Sequence, residues 1–398
     1  MANELITGAQ TVLYAEKEVT YGVPRPINGA NAFRNISETF TPEEERENRP
    51  DRSGSADHLE RYVGRQSASW EVTKLFLPNG NVTTPPDDTH LWENLFGHLS
   101  LGTTSVEYLF ATAQDDSLTL RRGVRVGGAD GVAEYQEHIM GAIVNRMEVT
   151  WGSQGNNGLV QLAFSGLGKK WGFTGNSSIA AGTINLSTDS GYVTLSNGLQ
   201  VSEGSVVKMG ATDTGGGSGI LIDSINYTNG RATFSETLDA SHSAGLAVKA
   251  YNPTETTAGS PIHARLGYLS LDGSTSTIQH LGGRVTVEDN RSLLNEEVGD
   301  DSPTRSMRED RRVVTFQLDF MVKKEEVGTL LGDMKRNASK NIEVTLGEQA
   351  NKKLKLVMAN SELDMGATDL SEQGMMRVSM NGVALGTNGN DSLKARIL

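Results

Sequence analysis

Apolar and polar residues alternate along much of this chain, in short runs closed by glycine. Gly374-Met-Met-Arg-Val-Ser-Met-Asn-Gly382 sets Met376, Val378 and Met380 against Arg377, Ser379 and Asn381. Gly158-Leu-Val-Gln-Leu-Ala-Phe-Ser-Gly166 sets Val160, Leu162 and Phe164 against Gln161 and Ser165. A period of two with unlike faces predicts strands buried on one side only. Ala68–Phe76 alternates Trp70, Val72, Lys74 and Phe76 with Ser69, Glu71, Thr73 and Leu75; Val313–Phe320 alternates in the same way. Helical spacing is confined to two places. Leu91, Trp92, Leu95 and Phe96 share a face in His90–Gly97, with Asp88 or Thr89 as N-cap and Gly97 as stop. Val327, Leu330, Leu331 and Met334 do so in Glu325–Met334.

The predicted elements come in one order, twice. Each half has a hairpin with a charged tip, a helix, further strands and a glycine-bracketed strand. The first tip, Glu43 to Arg65, mixes Glu43, Glu44 and Asp57 with Arg46, Arg49, Arg52 and Arg61. The second, Glu288 to Arg312, mixes Glu296, Asp300 and Asp310 with Arg305 and Arg308. Asn145-Arg-Met-Glu-Val149 and Asn360-Ser-Glu-Leu363 look like counterparts. Between the halves, residues 173–255 are rich in Ser, Thr, Gly and Asn and carry short strands between turn signals, which suggests a small separate β domain. The expected architecture is mainly β with short helices: two tandem β-sandwich or barrel domains, 1–172 and 256–398, and an inserted all-β domain, 173–255.

Composition narrows the function. The net charge of -13 argues against gripping nucleic acid by phosphate neutralisation, though not against DNA sliding past. Cysteine is absent, so no disulfide framework or thiolate metal site is expected. No signal peptide or membrane-spanning run is read, and assembly in a cytoplasm is expected. The seven histidines are scattered and read as surface or helix-flanking groups. Thr214–Gly219 lacks the Lys-Ser/Thr of a phosphate loop, Gly127–Gly131 lacks regular calcium-ligand spacing, and no Gly-x-Ser-x-Gly elbow occurs. No enzyme and no cofactor is expected. Mixed charge on the two tips suits pairing with another copy of the chain.

The start Glu18-Val-Thr-Tyr-Gly22, the charged hairpin returning through Gly64-Arg-Gln-Ser-Ala-Ser-Trp70, the helix Leu91-Trp-Glu-Asn-Leu-Phe-Gly97 and the closing glycine-bracketed strand resemble the major tail tube proteins of long-tailed bacteriophages. The resemblance covers residues 1–170 and 262–390, and the order of these motifs carries it; residues 173–255 lie outside it and resemble the small β domains that phages insert as external decorations, knobs that could be deleted with the tube left intact. It implies stacked rings of six tube domains around an inner β-barrel, hence three chains per ring here. It also implies a place in the virion tail, DNA passing through without specific binding, and tape measure and tail terminator or tip proteins as partners. The lumen-facing candidates are Glu71, Glu148, Gln161, Ser165, Gln317, Asp319, Glu362, Asp364, Ser379 and Asn381. The charged-tip residues named above are the candidates for reaching the next ring. Arg146 and Arg377 interrupt the acidic lining, with Glu362 or Asp364 as the expected partner of Arg377. The competing reading is a virion decoration or host-surface-binding protein with 173–255 as its binding module.

Overall fold

The computed structural model describes residues 11–48, 61–81, 83–112, 116–124, 135–152, 158–180, 192–210, 218–234, 243–255, 259–264, 267–273, 279–295, 297–322, 328, 332–333, 335–336, 339–364, 368–370 and 376–398. The fold is mainly β, as the alternation predicts. The first repeat comprises β1 (Thr11–Lys17), β2 (Ala32–Phe33), β3 (Ser37–Asn48), β4 (Arg61–Leu75), α1 (Thr89–Phe96), β5 (Gly97–Leu101), β6 (Val106–Phe110), β7 (Leu118–Val124), β8 (Tyr135–Gly152), β9 (Gln161–Gly168) and β10 (Lys170–Thr174). The long strand β8 belongs to two sheets. Its N-terminal half lies between β7 and β10 in an outer sheet, β2-β1-β7-β8-β10. Its C-terminal half continues into an inner sheet, β3-β4-β9-β8.

The small domain follows, with β11 (Ser177–Ser178), β12 (Tyr192–Thr194), β13 (Val206–Met209), β14 (Ile220–Asn226), β15 (Arg231–Phe234) and β16 (Ala247–Ala250). These pair in the order β11-β16-β13-β14-β15-β12 around a core of their own. β10 runs to Thr174, two residues past the expected domain boundary.

The second repeat comprises β17 (Tyr268–Leu271), β18 (Gln279–Glu288), β19 (Arg291–Leu293), β20 (Ser306–Arg308), β21 (Val313–Val322), β22 (Lys340–Leu346), β23 (Leu354–Asp364), β24 (Thr368–Leu370), β25 (Met376–Ala384) and β26 (Lys394–Ile397). Seven strands recur in order, with β17, β18, β21, β22, β23, β25 and β26 in the places of β1, β3, β4, β7, β8, β9 and β10; β2, β5 and β6 have no counterpart among the described residues. Its outer sheet is β17-β22-β23-β26 and its inner sheet is β18-β21-β25-β23. One irregularity agrees as well: the pairing slips between Leu118 and Leu120 in one repeat and between Lys340 and Ile342 in the other. β10 ends the first repeat as β26 ends the second, so the small domain links the repeats instead of interrupting one. By register Gly166 matches Gly382, Trp70 matches Phe316 and Gln161 matches Arg377. Asn145–Val149 and Asn360–Leu363 are not counterparts: Val144 and Leu363 lie opposite the matched glycines, and Ala142 matches Ser361.

The matched glycines have one physical cause. A Cβ on Gly166 would strike the carbonyl oxygen of Ile143, and one on Gly382 would strike that of Glu362. Trp70 and Phe316 press on the same two positions. Only glycine allows this close approach of strand to strand. Gly158 lies outside β9, in a turn with φ +79.

Helix α1 buries Leu91, Trp92, Leu95 and Phe96 against the apolar face of the inner sheet, as its spacing predicts. Trp92 meets Tyr108 at 5.3 Å and Phe164 at 5.8 Å between ring centroids. Gly97 ends the helix in the left-handed conformation, φ 83. Asp88 precedes the helix without capping it by its side chain; its carboxylate instead pairs with Lys74 at 2.9 Å and accepts from Trp92 Nε1 at 3.1 Å. Most of the predicted second helix lies outside the described residues; Gly328, Gly332 and Asp333 within it are helical, as is Lys335 just beyond it.

The small domain is fastened to the first repeat. Val206, Leu221 and Tyr251 form a core with Val12, Tyr14, Ile27 and Ala32. Buried Arg121 donates to the Gly204 carbonyl at 2.5 Å and to the Arg25 carbonyl at 2.9 Å. Burial lowers its pKa to about 9. His138 is fully buried, not on the surface, and faces the Glu203 carbonyl at 2.7 Å. Burial and then Arg121 lower its pKa to about 3.

Candidate functional site

The two inner sheets are joined edge to edge. β8 pairs with β18 from Arg146 opposite Glu288 to Gly152 opposite Gly282. The result is one continuous sheet, β3-β4-β9-β8-β18-β21-β25-β23, with β24 extending the line of β23 along β25. One face is apolar and buried, carrying Trp70, Val72, Val149, Leu162, Phe164, Val285, Leu318, Val378 and Met380.

All ten sequence-derived lumen candidates lie on the opposite face. Glu71, Glu362, Asp364 and Asn381 are exposed; Glu148, Gln161, Ser165, Gln317, Asp319 and Ser379 are half-buried. Cross-strand rows bring them together: Glu71 stands opposite Ser165, Gln317 opposite Asn381, and Asp319 opposite Ser379. Hydrogen bonds run from Arg284 Nη2 to Gln317 Oε1 (3.3 Å), from Gln317 Nε2 to Ser379 Oγ (3.2 Å) and from Ser379 Oγ to Asp319 Oδ1 (2.7 Å). Arg284, Thr286 and Glu288 share this face and were not among the candidates. Their alternation with Val285 and Val287 was the signal that could have found them.

The arginines of the face are partly neutralised. Arg146 bonds Glu148 at 2.8 Å and reaches Glu288 at 3.9 Å, across the seam between the repeats. The residue opposite Arg377 on the neighbouring strand is Asp369, not Glu362 or Asp364. Two grooves of about 460 and 430 Å³ lie on this face, one along Thr39, Glu71, Ser165 and Arg146, the other along Arg284, Gln317, Asp364 and Asn381. Both are open; the first is mixed in character and the second mostly polar, with no described cluster of His, Asp and Glu that could hold a metal ion.

Among the described residues both ends of the sheet are open. Among the described strands nothing pairs with the outer edge of β3, nor with the outer edges of the β23 C-terminus and β24. Register makes β3 the counterpart of β18, and β23 with β24 the counterpart of the C-terminal half of β8.

The charged tips differ from one another. Arg49, Arg52, Asp57 and Glu296 lie outside the described residues. In the first hairpin Glu44 pairs with Arg46, Glu43 accepts from Ser67 Oγ at 3.2 Å, and Arg61 opens β4 opposite Asn48. The second tip is no free arm. It folds back through the β19–β20 hairpin, and Arg291, Arg308 and Arg312 converge on buried Asp289 at 2.6–2.8 Å. Its loop meets the first hairpin, where Arg65 donates to the Glu297 carbonyl at 2.9 Å and Gln66 N to the Asp301 carbonyl at 2.7 Å. Asp300, Arg305 and Asp310 stay exposed. Asn145, at the bulge of β8, holds the start of this tip through bonds from Asp289 N and Arg291 N.

Comparison with known protein families and with characterised proteins finds no match.

Proposed function

We propose that the chain is a structural protein of a phage tail that closes into three-chain rings and stacks into a tube, the conduit for DNA. The edge-to-edge seam carries this reading. Within one chain, β8 of the first repeat already pairs with β18 of the second. The same two edges are left open at the ends of the sheet, as β23 with β24 and as β3. Joining them between chains in the same antiparallel sense repeats the seam and closes a barrel, which removes edges otherwise prone to uncontrolled pairing. The buried face already lies under α1, so the polar face becomes the bore. A wall carrying Glu71, Glu148, Glu288, Asp319, Glu362 and Asp364 against Arg146, Arg284 and Arg377 is acidic in balance and offers phosphate little to hold. Head-to-tail stacking, which does not close on itself, then gives a filament.

Negative-stain microscopy of the purified chain tests this. Open-centred rings or tubes with threefold symmetry are expected. Persistent monomers at high concentration would overturn the proposal.

A further inference from the structure

We infer that the small domain sits at the junction between chains and contacts the second repeat of a neighbouring copy, instead of standing clear as an external knob. The inference rests on the ring proposed above and adds a second interface to it. Within the chain the repeats meet at two seams. Besides the inner β8–β18 seam there is an outer one, where β6 of the first repeat pairs with β26 of the second, with Arg396 opposite Glu107 and bonded to it at 2.9 Å. The outer-sheet strand equivalent to β26 is β10. Register through β8 and β23 matches Gly172 with Lys394 and Thr174 with Arg396.

At β10 the place of β6 is taken by the small domain. Thr174 pairs with Val201 in an antiparallel bridge, at the position where Arg396 pairs with Glu107. Ser202 Oγ accepts from Phe173 N at 2.8 Å and donates to the Phe173 carbonyl at 2.9 Å. Gly175 N donates to the Gln200 carbonyl at 2.7 Å. The segment 200–203 therefore occupies, on the first repeat, the site that the preceding repeat occupies on the second. In a ring the preceding repeat at this site is the second repeat of the next copy, and the small domain lies directly in its way.

A cleft of about 510 Å³ marks the place. It lies between the base of the β3–β4 hairpin, β10 and the small domain, and Glu43, Glu44, Glu203, Trp171 and Tyr227 are among its lining. Trp171 Nε1 is buried there without a hydrogen-bond partner. Arg46 and Lys170 also line the cleft and pair with Glu44 and Glu203, which leaves Glu43 and Asp301 as its excess of negative charge. The second-repeat segment that follows β21, as α1 follows β4, carries Lys335 and Arg336, both exposed.

The chain has no cysteine, which makes site-specific cross-linking clean. Full-length chains bearing Glu203→Cys and Arg336→Cys would be treated with a flexible bis-maleimide before and after assembly. A second set, Glu43→Cys with Asp364→Cys, reports on the inner seam. Expected are chain-to-chain adducts from both sets in assembled material and none in monomers. Inner-seam adducts without Glu203–Arg336 adducts would overturn the placement of the small domain while leaving the ring intact. Loss of both, with no rings by microscopy, would overturn the ring and this inference together.

Discussion

Lys74 lies on the core face of β4 with the Asp88 carboxylate beside it at 2.9 Å; both side chains are almost wholly buried. Its equivalent in the second repeat is Phe320, so an apolar residue serves at the same position there. Removing one partner leaves an uncompensated buried charge, which costs about 3–5 kcal/mol. Asp88→Ala is therefore expected to lower unfolding free energy by about that much in urea titration. Lys74→Met combined with Asp88→Leu should recover most of the loss. His138 acts through pH. Its folded pKa of about 3 lies below the ordinary 6.5, so the unfolded chain takes up the proton first as pH falls. Its contribution is complete above about pH 6.5 and is lost as pH falls from there toward 3, by at most about 1.4 kcal/mol per pH unit. His280, packed on Trp151 with a pKa of about 4, adds in the same direction. Thermal unfolding between pH 7 and 5 should show a falling midpoint, with a shallower slope in His138→Gln.

At the scale of elements, the small domain is the one whose meaning changes most. As an external knob it could be cut away freely. Its shared core with Val12, Tyr14, Ile27 and Ala32, and its bonds to Arg121, His138 and Gln136, oppose that. Excising 175–252 behind a short linker is expected to lower the melting temperature of the remainder and raise its binding of apolar dyes; an unchanged melt would show the docking to be idle. Strand alternation made the inner sheet legible in the sequence, because one face is largely apolar along its strands, with Lys74 an exception. The ten polar candidates fell on one face for that reason. The short strands β10, β17 and β26 were not legible. Four or five residues carry too little periodicity, and what fixes them is pairing with distant partners, as β26 with β6. Asp88 read as a helix cap because its partner Lys74 is close only in space. The second tip read as an arm because its arginines looked solvated, when their common anchor is the single buried Asp289.

At the scale of the molecule, the seam inside the chain predicts the seam between chains. Transferring the register of Glu288 opposite Arg146 places Glu43 opposite Asp364 in the neighbouring copy. Two carboxylates directly opposed are unfavourable, whereas opposite charges contribute about 0.2–1 kcal/mol per pair. Asp364→Arg would restore at the chain junction the pairing already present within the chain. Light scattering should then show assembly at a several-fold lower protein concentration than wild type, and Asp364→Lys with Glu43→Lys should reverse the gain.

The covalent tie between β8 and β18 also fixes a parity. Repeats enter any closed ring of this chain in pairs, so its circumference changes only in steps of eight strands. An off-by-one ring, open to a protein with a single repeat, is not among its states. Since barrel diameter grows with strand number, the rings open to the proposed assembly differ from one another in bore by the width that eight strands add.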